Sequence, residues 1–284
     1  MYTEKKILKV LILVVVISLV FVGCSKSDAN NNSNNNSNSN INEEAPETPE
    51  KPKTLTVGFD QNFPPMGFVG DDGEFTGFDL DLAAEVCRRL GMELILQPID
   101  WGSKDMELNS GNIDCVWNGF TMNGREEGYT WTEPYMDNEQ VIVVRPDSGI
   151  ETLADLAGKI VCVQIDSSAE AALEKDRPEL TATFAELVKV ADYDIALMDL
   201  ETGAVDAVAM DEIVANYRLE KGDIDMVILE EGIASEQYGV GFKLGNTELR
   251  DLIQSELEKM AADGTMAEIS KKWFGKDITT LGKN

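Results

Sequence analysis

Polar and aromatic residues follow the apolar segments of this chain at points where strands are expected to end. Asp60 and Phe63 come after the alternating segment 55–59, which Pro64 and Pro65 prevent from continuing. Residues in the same position after later apolar segments are Asn118, Gly119, Thr121 and Asp211. Open α/β sheets bind ligands at the carboxyl ends of their strands. The spacing therefore predicts a ligand-binding edge.

The composition excludes several other chemistries. The 284 residues contain no histidine, so Ser-His-Asp and Cys-His nucleophile sites and His-ligated metal sites are absent. The formal net charge of −28 makes nucleic-acid binding improbable and indicates a solvated, acidic surface. Any enzyme built on this chain would depend on carboxylate or lysine chemistry. No cofactor and no metal is expected.

The cysteines do not form a metal motif. Cys87, Cys115 and Cys162 lie in apolar segments, and their spacing matches no zinc site. Buried cysteine behaves as a small hydrophobic residue, so three free thiols are expected. A disulfide between Cys87 and Cys115 is the alternative.

The elements that would position the polar residues alternate between strand and helix, which is typical of α/β folds. Asp79 is expected to cap the first helix, which ends at Gly91. One face of that helix carries Leu82, Ala83, Val86, Cys87 and Leu90. Trp117 lies within a buried strand and is expected in the core.

An internal similarity predicts two lobes. Residues 108–116 and 200–208 both have the pattern of a helix end, a glycine and a buried strand. Each is followed by polar residues, so two similar lobes would present equivalent strand ends to a shared cleft. Chance recurrence of a common helix-glycine-strand pattern is the alternative.

Two strands are expected to connect the lobes. The β-branched run 140–145 and the glycine-interrupted segment 238–243 suit crossover strands. Two amphipathic helices follow, one from Asn246 and one over 265–274, and return to the first lobe. Lobe 1 is therefore predicted over 55–142 and 241–284 and lobe 2 over 143–240, with a hinge between them.

The amino terminus has the pattern of an export signal. Lysines precede the apolar run 10–22, which indicates a signal peptide over residues 1–23. Gly23-Cys24 resembles the lipobox of bacterial lipoproteins, which implies lipidation of Cys24. Residues 24–54 are rich in Asn, Ser, Glu and Pro and are expected to form a disordered tether. A retained membrane anchor is the alternative to cleavage.

Seven segments carry a resemblance to a known family. They are Gly58–Pro65, Gly77–Ala83, Ser110–Asp114, Asn118–Thr121, Thr132–Tyr135, Leu153–Lys159 and Ala261–Thr265. In this order they resemble the amino-acid-binding family of type II periplasmic-type binding proteins, extracellular solute-binding family 3. The resemblance implies an α/β, two-lobed, Venus flytrap fold with two crossover hinge strands.

The resemblance also implies roles for the residues at the strand ends. Arg125 would bind the α-carboxylate of an amino acid, and Asp211 would receive the α-ammonium. Gln164 corresponds to a specificity position, and Asp166 replaces a common glycine. The full set of ligand-binding residues that it implies is Asp60, Phe63, Trp101, Asn118, Gly119, Thr121, Arg125, Gln164, Ser167, Ser168 and Asp211. For Trp101, a place in the core or rim is the alternative.

The function that the resemblance implies is transport. The protein would be a monomeric, lipid-anchored receptor on the outer face of a bacterial cell membrane. It would bind a polar amino acid between its lobes, close, and deliver the ligand to an ABC permease. One alternative is a ligand-sensing domain for a membrane signalling partner. Another is a dehydratase in which Asp166 or Asp211 donates a proton.

Overall fold

The computed structural model describes residues 53–222 and 224–283. The predicted signal peptide, Cys24 and all but the last two residues of the predicted tether lie outside the described residues. None of the helices that the model describes has both the length and the apolar character needed to cross a membrane.

Strands and helices alternate along the described chain. The strands are β1 (Thr54–Phe59), β2 (Asn62–Phe63), β3 (Gly67–Val69), β4 (Phe75–Thr76), β5 (Glu93–Pro98), β6 (Cys115–Thr121), β7 (Tyr129–Trp131), β8 (Met136–Val144), β9 (Ile160–Gln164), β10 (Glu186–Val190), β11 (Ala207–Asp211), β12 (Val227–Ile228) and β13 (Ala234–Lys243). The α-helices are α1 (Phe78–Leu90), α2 (Lys104–Ser110), α3 (Ser168–Ala171), α4 (Pro178–Thr181), α5 (Tyr193–Thr202), α6 (Glu212–Lys221), α7 (Thr247–Asp263) and α8 (Thr265–Phe274). Short 3₁₀ segments cover Trp101–Ser103 and Leu153–Leu156, and a π-helical turn covers Ala172–Asp176.

The main sheet of the described residues joins two α/β lobes through a central pair of strands. Its order is β10-β9-β11-β8-β13-β6-β1-β5, with β12 beside β8 and β7 beside β13. Lobe 1 is built on the parallel strands β5, β1 and β6, and lobe 2 on the parallel strands β10, β9 and β11. Strands β8 and β13 run antiparallel to each other between them. The predicted crossover segments 140–145 and 238–243 lie almost entirely within this pair.

The last two helices pack against α1 of lobe 1. Ile253, Leu257 and Met260 of α7 are fully buried in the same apolar cluster as α1. Arg89 of α1 donates hydrogen bonds to Asp263 and Thr265 at the junction of α7 and α8. The carboxyl-terminal helices are therefore held against α1 by apolar packing and by hydrogen bonds.

The repeated helix-glycine-strand pattern is present in both lobes. Helix α2 ends at Gly111 and α5 at Gly203, each with a left-handed backbone that glycine adopts without steric cost. The aspartate before the next strand then accepts a hydrogen bond from a neighbouring strand in each lobe, Asp114 from the Thr56 N–H and Asp206 from the Ile160 N–H. Strands β6 and β11 are thus equivalent, and their carboxyl ends face one cleft.

The prediction that Asp79 caps α1 is wrong. The helix begins at Phe78 after Gly77, where an added Cβ would lie 2.3 Å from the Met66 carbonyl oxygen. Asp79 is instead fully buried inside the first turn of α1. Because its carboxylate points into the protein, it reaches the end of β6.

The three described cysteines, Cys87, Cys115 and Cys162, are buried free thiols.

Candidate functional site

The carboxyl ends of β6, β9 and β11 surround a cavity between the lobes. The space between the lining atoms, counted together with the solvent at its open mouth, is about 270 Å³. Its lining residues are Phe63, Trp101, Asn118, Gly119, Thr121, Arg125, Gln164, Ser167, Ser168 and Asp211. All of them were predicted as ligand-binding residues from the sequence. Asp60 is the predicted site residue that does not line the cavity.

The end of β6 is held in place by close packing. Gly119 has a φ of +57°, and an added Cβ would lie 2.9 Å from Cε1 of Phe63, so only glycine fits here without a shift. The Gly119 N–H donates to Asp79 Oδ2 at 2.6 Å, and the Tyr135 hydroxyl donates to the same oxygen at 2.9 Å. The Asn118 side chain accepts from the Asp60 N–H at 3.0 Å.

Asp79 is a buried acid whose role was not predicted from the sequence. Burial raises the pKa of this carboxyl to about 7, although the hydrogen bonds from Gly119 and Tyr135 oppose the shift. It does not touch the cavity. It positions the backbone that does, because the Gly119 amide is fixed by its carboxylate.

Arg125 places a positive charge at the mouth of the cavity. A turn bonded from the Arg125 N–H to the Met122 carbonyl follows β6 and brings the guanidinium back over the Phe120 ring, 5.5 Å from its centroid. The guanidinium donates to the Asp166 carbonyl at 3.1 Å and to the Thr121 carbonyl at 3.4 Å. A planar guanidinium in this position can bind a carboxylate through two parallel hydrogen bonds.

Asp166 joins the lobes. It has a φ of +58°, a conformation in which glycine is expected and in which aspartate is tolerated. Its carboxylate forms an ion pair with Lys104 of α2, a lysine whose side chain is only 1% exposed. Lys104 Nζ also donates to the Asp166 carbonyl at 3.2 Å. Burial lowers the pKa of Lys104, and the contact with Asp166 opposes that shift.

Gln164 separates Asp60 from the cavity. Its side-chain nitrogen donates to Asp60 Oδ2 at 2.7 Å, which is a second contact between the lobes. Asp60 also accepts from the Asn62 N–H at 2.8 Å. Burial raises the pKa of Asp60 to about 6. The structure therefore places Asp60 behind Gln164 and beside the cavity.

Asp211 is the acidic group on the lobe 2 side. It is buried and accepts hydrogen bonds from side chains on three elements: Gln140 at 2.7 Å, Asn138 at 3.1 Å, Tyr238 at 2.5 Å and Tyr193 at 3.2 Å. Burial, followed by the nearby charge of Glu236, raises the pKa of Asp211 well above its usual range. A cationic group arriving from the cavity would relieve the cost of this burial.

The sequence analysis missed the groups that surround Asp211. Asn138 and Gln140 lie on β8, and Glu236 and Tyr238 lie on β13. In β13 the residues at alternate positions 236, 238 and 240 are buried while 235 and 237 are exposed. Because side chains of a strand alternate between its two faces, Glu236 lies on the same buried face as Tyr238 and Val240, and this spacing of two residues is the signal that could have identified it.

Aromatic side chains form the walls of the cavity. Phe63 of lobe 1 packs against Tyr193 of lobe 2 with 5.9 Å between ring centroids. Trp101 lines the cavity and stacks edge-to-face on Phe120, with Lys104 Nζ 5.2 Å from its ring centroid. Trp117 is fully buried in the lobe 1 core, as predicted.

Comparison with known proteins identifies the family. The sequence model of one protein family, the bacterial extracellular solute-binding proteins, family 3, matches residues 55–276. The chain belongs to this family. It is 32% identical over 232 residues to the L-cystine-binding protein TcyJ of Escherichia coli (strain K12), a match that covers 80% of this chain and 84% of that protein.

Solved structures of similar proteins have the same fold. An ABC uptake transporter substrate-binding protein from Streptococcus pneumoniae with bound histidine is 38% identical, with a TM-score of 0.78, covering 80% of this chain and 95% of that one. The ancestral amino-acid-binding protein AncCDT-1, a precursor of cyclohexadienyl dehydratase, is 28% identical, with a TM-score of 0.71, covering 78% and 96%. Both likenesses extend over both lobes.

Proposed function

We propose that this protein is the extracytoplasmic substrate-binding component of an amino-acid ABC importer. The observation that carries the proposal is the placement of opposite charges on opposite lobes of one cavity. Arg125 lies at the lobe 1 wall and Asp211 at the lobe 2 wall. A free amino acid is a zwitterion, and its carboxylate and ammonium complement this pair.

The same arrangement couples binding to closure. The cavity wall is continuous only when the lobes meet, because Gln164 reaches Asp60 and Asp166 reaches Lys104 across the cleft. A ligand that contacts both lobes has a higher affinity for the closed state and shifts the population toward it. The closed form would then dock on a membrane permease and release its ligand there.

The anchoring and assembly state belong to the same proposal. Lipidation at Cys24 and a tether of about thirty residues would hold the monomeric receptor at the outer face of the cell membrane while it reorients.

The dehydratase alternative has one argument in its favour, since AncCDT-1 is a precursor of such an enzyme. We propose a binding protein without enzymatic activity, in keeping with L-cystine-binding TcyJ and the histidine-bound transporter protein.

A ligand screen tests the proposal. The full chain is refolded to remove carried-over ligand, and its Tm is measured with each amino acid singly, with sugars and inorganic anions as controls. A ligand at 100 times its Kd stabilises the protein by about 2.7 kcal/mol, which raises the Tm of a chain of this size by roughly 5–11 °C, at about 2–4 °C per kcal/mol. We expect such a rise for one amino acid or a related set. A flat response to all amino acids would overturn the proposal, and turnover of prephenate or arogenate would favour the dehydratase.

A further inference from the structure

Two carboxyl groups lie together beside the cavity, and the proposed amino-acid receptor uses only one of them. Asp211 ends β11, and Glu236 lies on the crossover strand β13, which is separated from β11 by β8. The two residues are 3% and 4% exposed. Both accept hydrogen bonds from the same two nitrogens. Gln140 Nε2 lies 2.7 Å from Asp211 Oδ1 and 2.8 Å from Glu236 Oε1. Asn138 Nδ2 lies 3.1 Å and 2.7 Å from the same two oxygens.

No basic side chain of the described chain pairs with either carboxyl. Lys104 is bound to Asp166, and the Arg125 guanidinium donates to the carbonyls of Thr121 and Asp166. The remaining contacts of the two acids are the hydroxyls of Thr121, Tyr193 and Tyr238. Two buried carboxylates with only neutral partners carry a large desolvation cost.

The side chains around the pair also supply too few hydrogen-bond donors for the oxygens they contact. Gln140 Nε2 has two hydrogens but three oxygens within bonding distance, since Ser168 Oγ lies 2.9 Å away in addition to the two carboxylate oxygens. A proton shared by the carboxyls would supply one more hydrogen bond and remove one negative charge. Like charges held this close do not both ionise readily.

An unpartnered acceptor beside the pair indicates that a donor is missing. Gln140 is fully buried, and among the described residues its Oε1 has no hydrogen-bond partner. This oxygen belongs to the same amide that contacts Asp211, Glu236 and Ser168, and Ser168 lines the cavity. An ammonium group is a triple donor with a positive charge, so one that reaches Asp211 from the cavity can neutralise the pair.

We propose that Glu236 is a further ligand-binding group and that the Asp211–Glu236 pair holds one proton, which the ammonium of the ligand replaces on binding. The displaced proton passes to the solvent. This inference rests on the proposed function. Because Glu236, Asn138, Gln140 and Tyr238 lie on the crossover strands, opening of the cleft leaves the pair assembled.

The charged and titratable groups on the surrounding elements do not compete for this role. Tyr193 of α5 and Tyr238 of β13 have pKa values raised far above neutrality by burial and by Asp211, so they stay protonated. Glu170 of α3 is paired with Lys189. Glu212, which begins α6, forms no hydrogen bond with either acid among the described contacts, and Arg125 after β6 forms no ion pair with them.

Calorimetry in buffers of different ionisation enthalpy tests the inference. The full chain is titrated with L-arginine, L-glutamine and L-cystine at several pH values between 5 and 7, where these probes keep one charge state. We expect wild-type protein to release up to one proton per ligand bound and to lose affinity as the pH falls. Glu236→Gln should release fewer protons at each pH, and the control Asp137→Asn, which removes an exposed acid from the same strand pair, should behave as wild type.

Two results would separate the claims. Binding without proton exchange over this range, or equal exchange in wild type and Glu236→Gln, would overturn the inference alone and leave the proposed function standing. Absence of binding by every probe and by the remaining amino acids would overturn the proposed function, and the ligand role of Glu236 with it.

Discussion

At the scale of single residues, charge placement explains the site. Arg125 and Asp211 contribute opposite charges to the two walls of the cavity, and each is held by neutral partners. Neither charge is neutralised by an ion pair among the described residues. A zwitterionic ligand therefore gains two charge-assisted interactions on entering, and each is stronger in a partly desolvated cavity than in water.

The protonation of Asp79, which positions the Gly119 amide, can be tested through the pH dependence of the free energy of unfolding. The pKa of Asp79 is raised to about 7, so the native state holds its proton more tightly than the unfolded state does. Its contribution to stability is complete below pH 4 and is lost as the pH rises to about 7. The stability advantage of wild type over Asp79→Asn should fall over this range by up to about 4 kcal/mol, at about 1.4 kcal/mol per pKa unit.

Urea unfolding of both proteins at pH 4.5, 6 and 8 measures this difference. Asp71→Asn, a change at an exposed acid, serves as the control and should follow wild type. Parallel stability curves for wild type and Asp79→Asn would show that Asp79 is ionised throughout.

The residues at strand ends could be predicted because the signal is local. Apolar runs that stop at polar residues mark Asn118, Thr121 and Asp211 in the sequence itself. Glu236 and Gln140 could not be recognised in this way, since they lie within strands and acquire their role only when β8 and β13 pair. The same limit applies to Asp79, whose partners Gly119 and Tyr135 are 40 and 56 residues away.

At the scale of elements, the loop after β9 closes the cleft. Asp166 receives contacts from Lys104 of α2 and from Arg125 after β6, both of lobe 1. Asparagine tolerates the same left-handed backbone but lacks the charge. Lys104 would then be buried without an anionic partner, so the contact between the lobes weakens.

Asp166→Asn should therefore favour the open form. We expect a larger radius of gyration for the ligand-free protein in small-angle X-ray scattering and ligand affinity weaker by about tenfold, or about 1.4 kcal/mol. Asp147→Asn is the matched control because Asp147 is 90% exposed at its side chain. If Asp166→Asn matched wild type in both measurements, this loop would not hold the lobes together.

The longer elements follow from sequence periodicity, and the shortest do not. Helix α1 and the pair α7 and α8 are recognisable because apolar residues recur on one face over ten or more residues. Strands β2, β4 and β12 have two residues each, too few for any alternation to appear. Their position is fixed by partners elsewhere in the chain.

At the scale of the whole molecule, one sheet carries both lobes and the hinge. The chain crosses between the lobes through β8 and β13, and the ligand cavity lies beside this pair. Both crossings were predicted from the sequence, because a β-branched run ends at Pro146 and the second segment is interrupted by glycines. The contacts that join the lobes were not predicted, since residues such as Gln164 and Asp60 are 104 positions apart.

The most direct test of the account is the affinity of the Arg125→Ala variant for the amino acid that the ligand screen identifies. Removing one partner of a desolvated charge pair costs about 2 kcal/mol or more, so the Kd measured by calorimetry should rise at least about thirtyfold. Arg88→Ala, at an exposed arginine of α1, is the control and should bind as wild type. The Tm of ligand-free Arg125→Ala should stay close to that of wild type. A Kd within threefold of wild type would contradict the role of Arg125 and the placement of the ligand carboxylate.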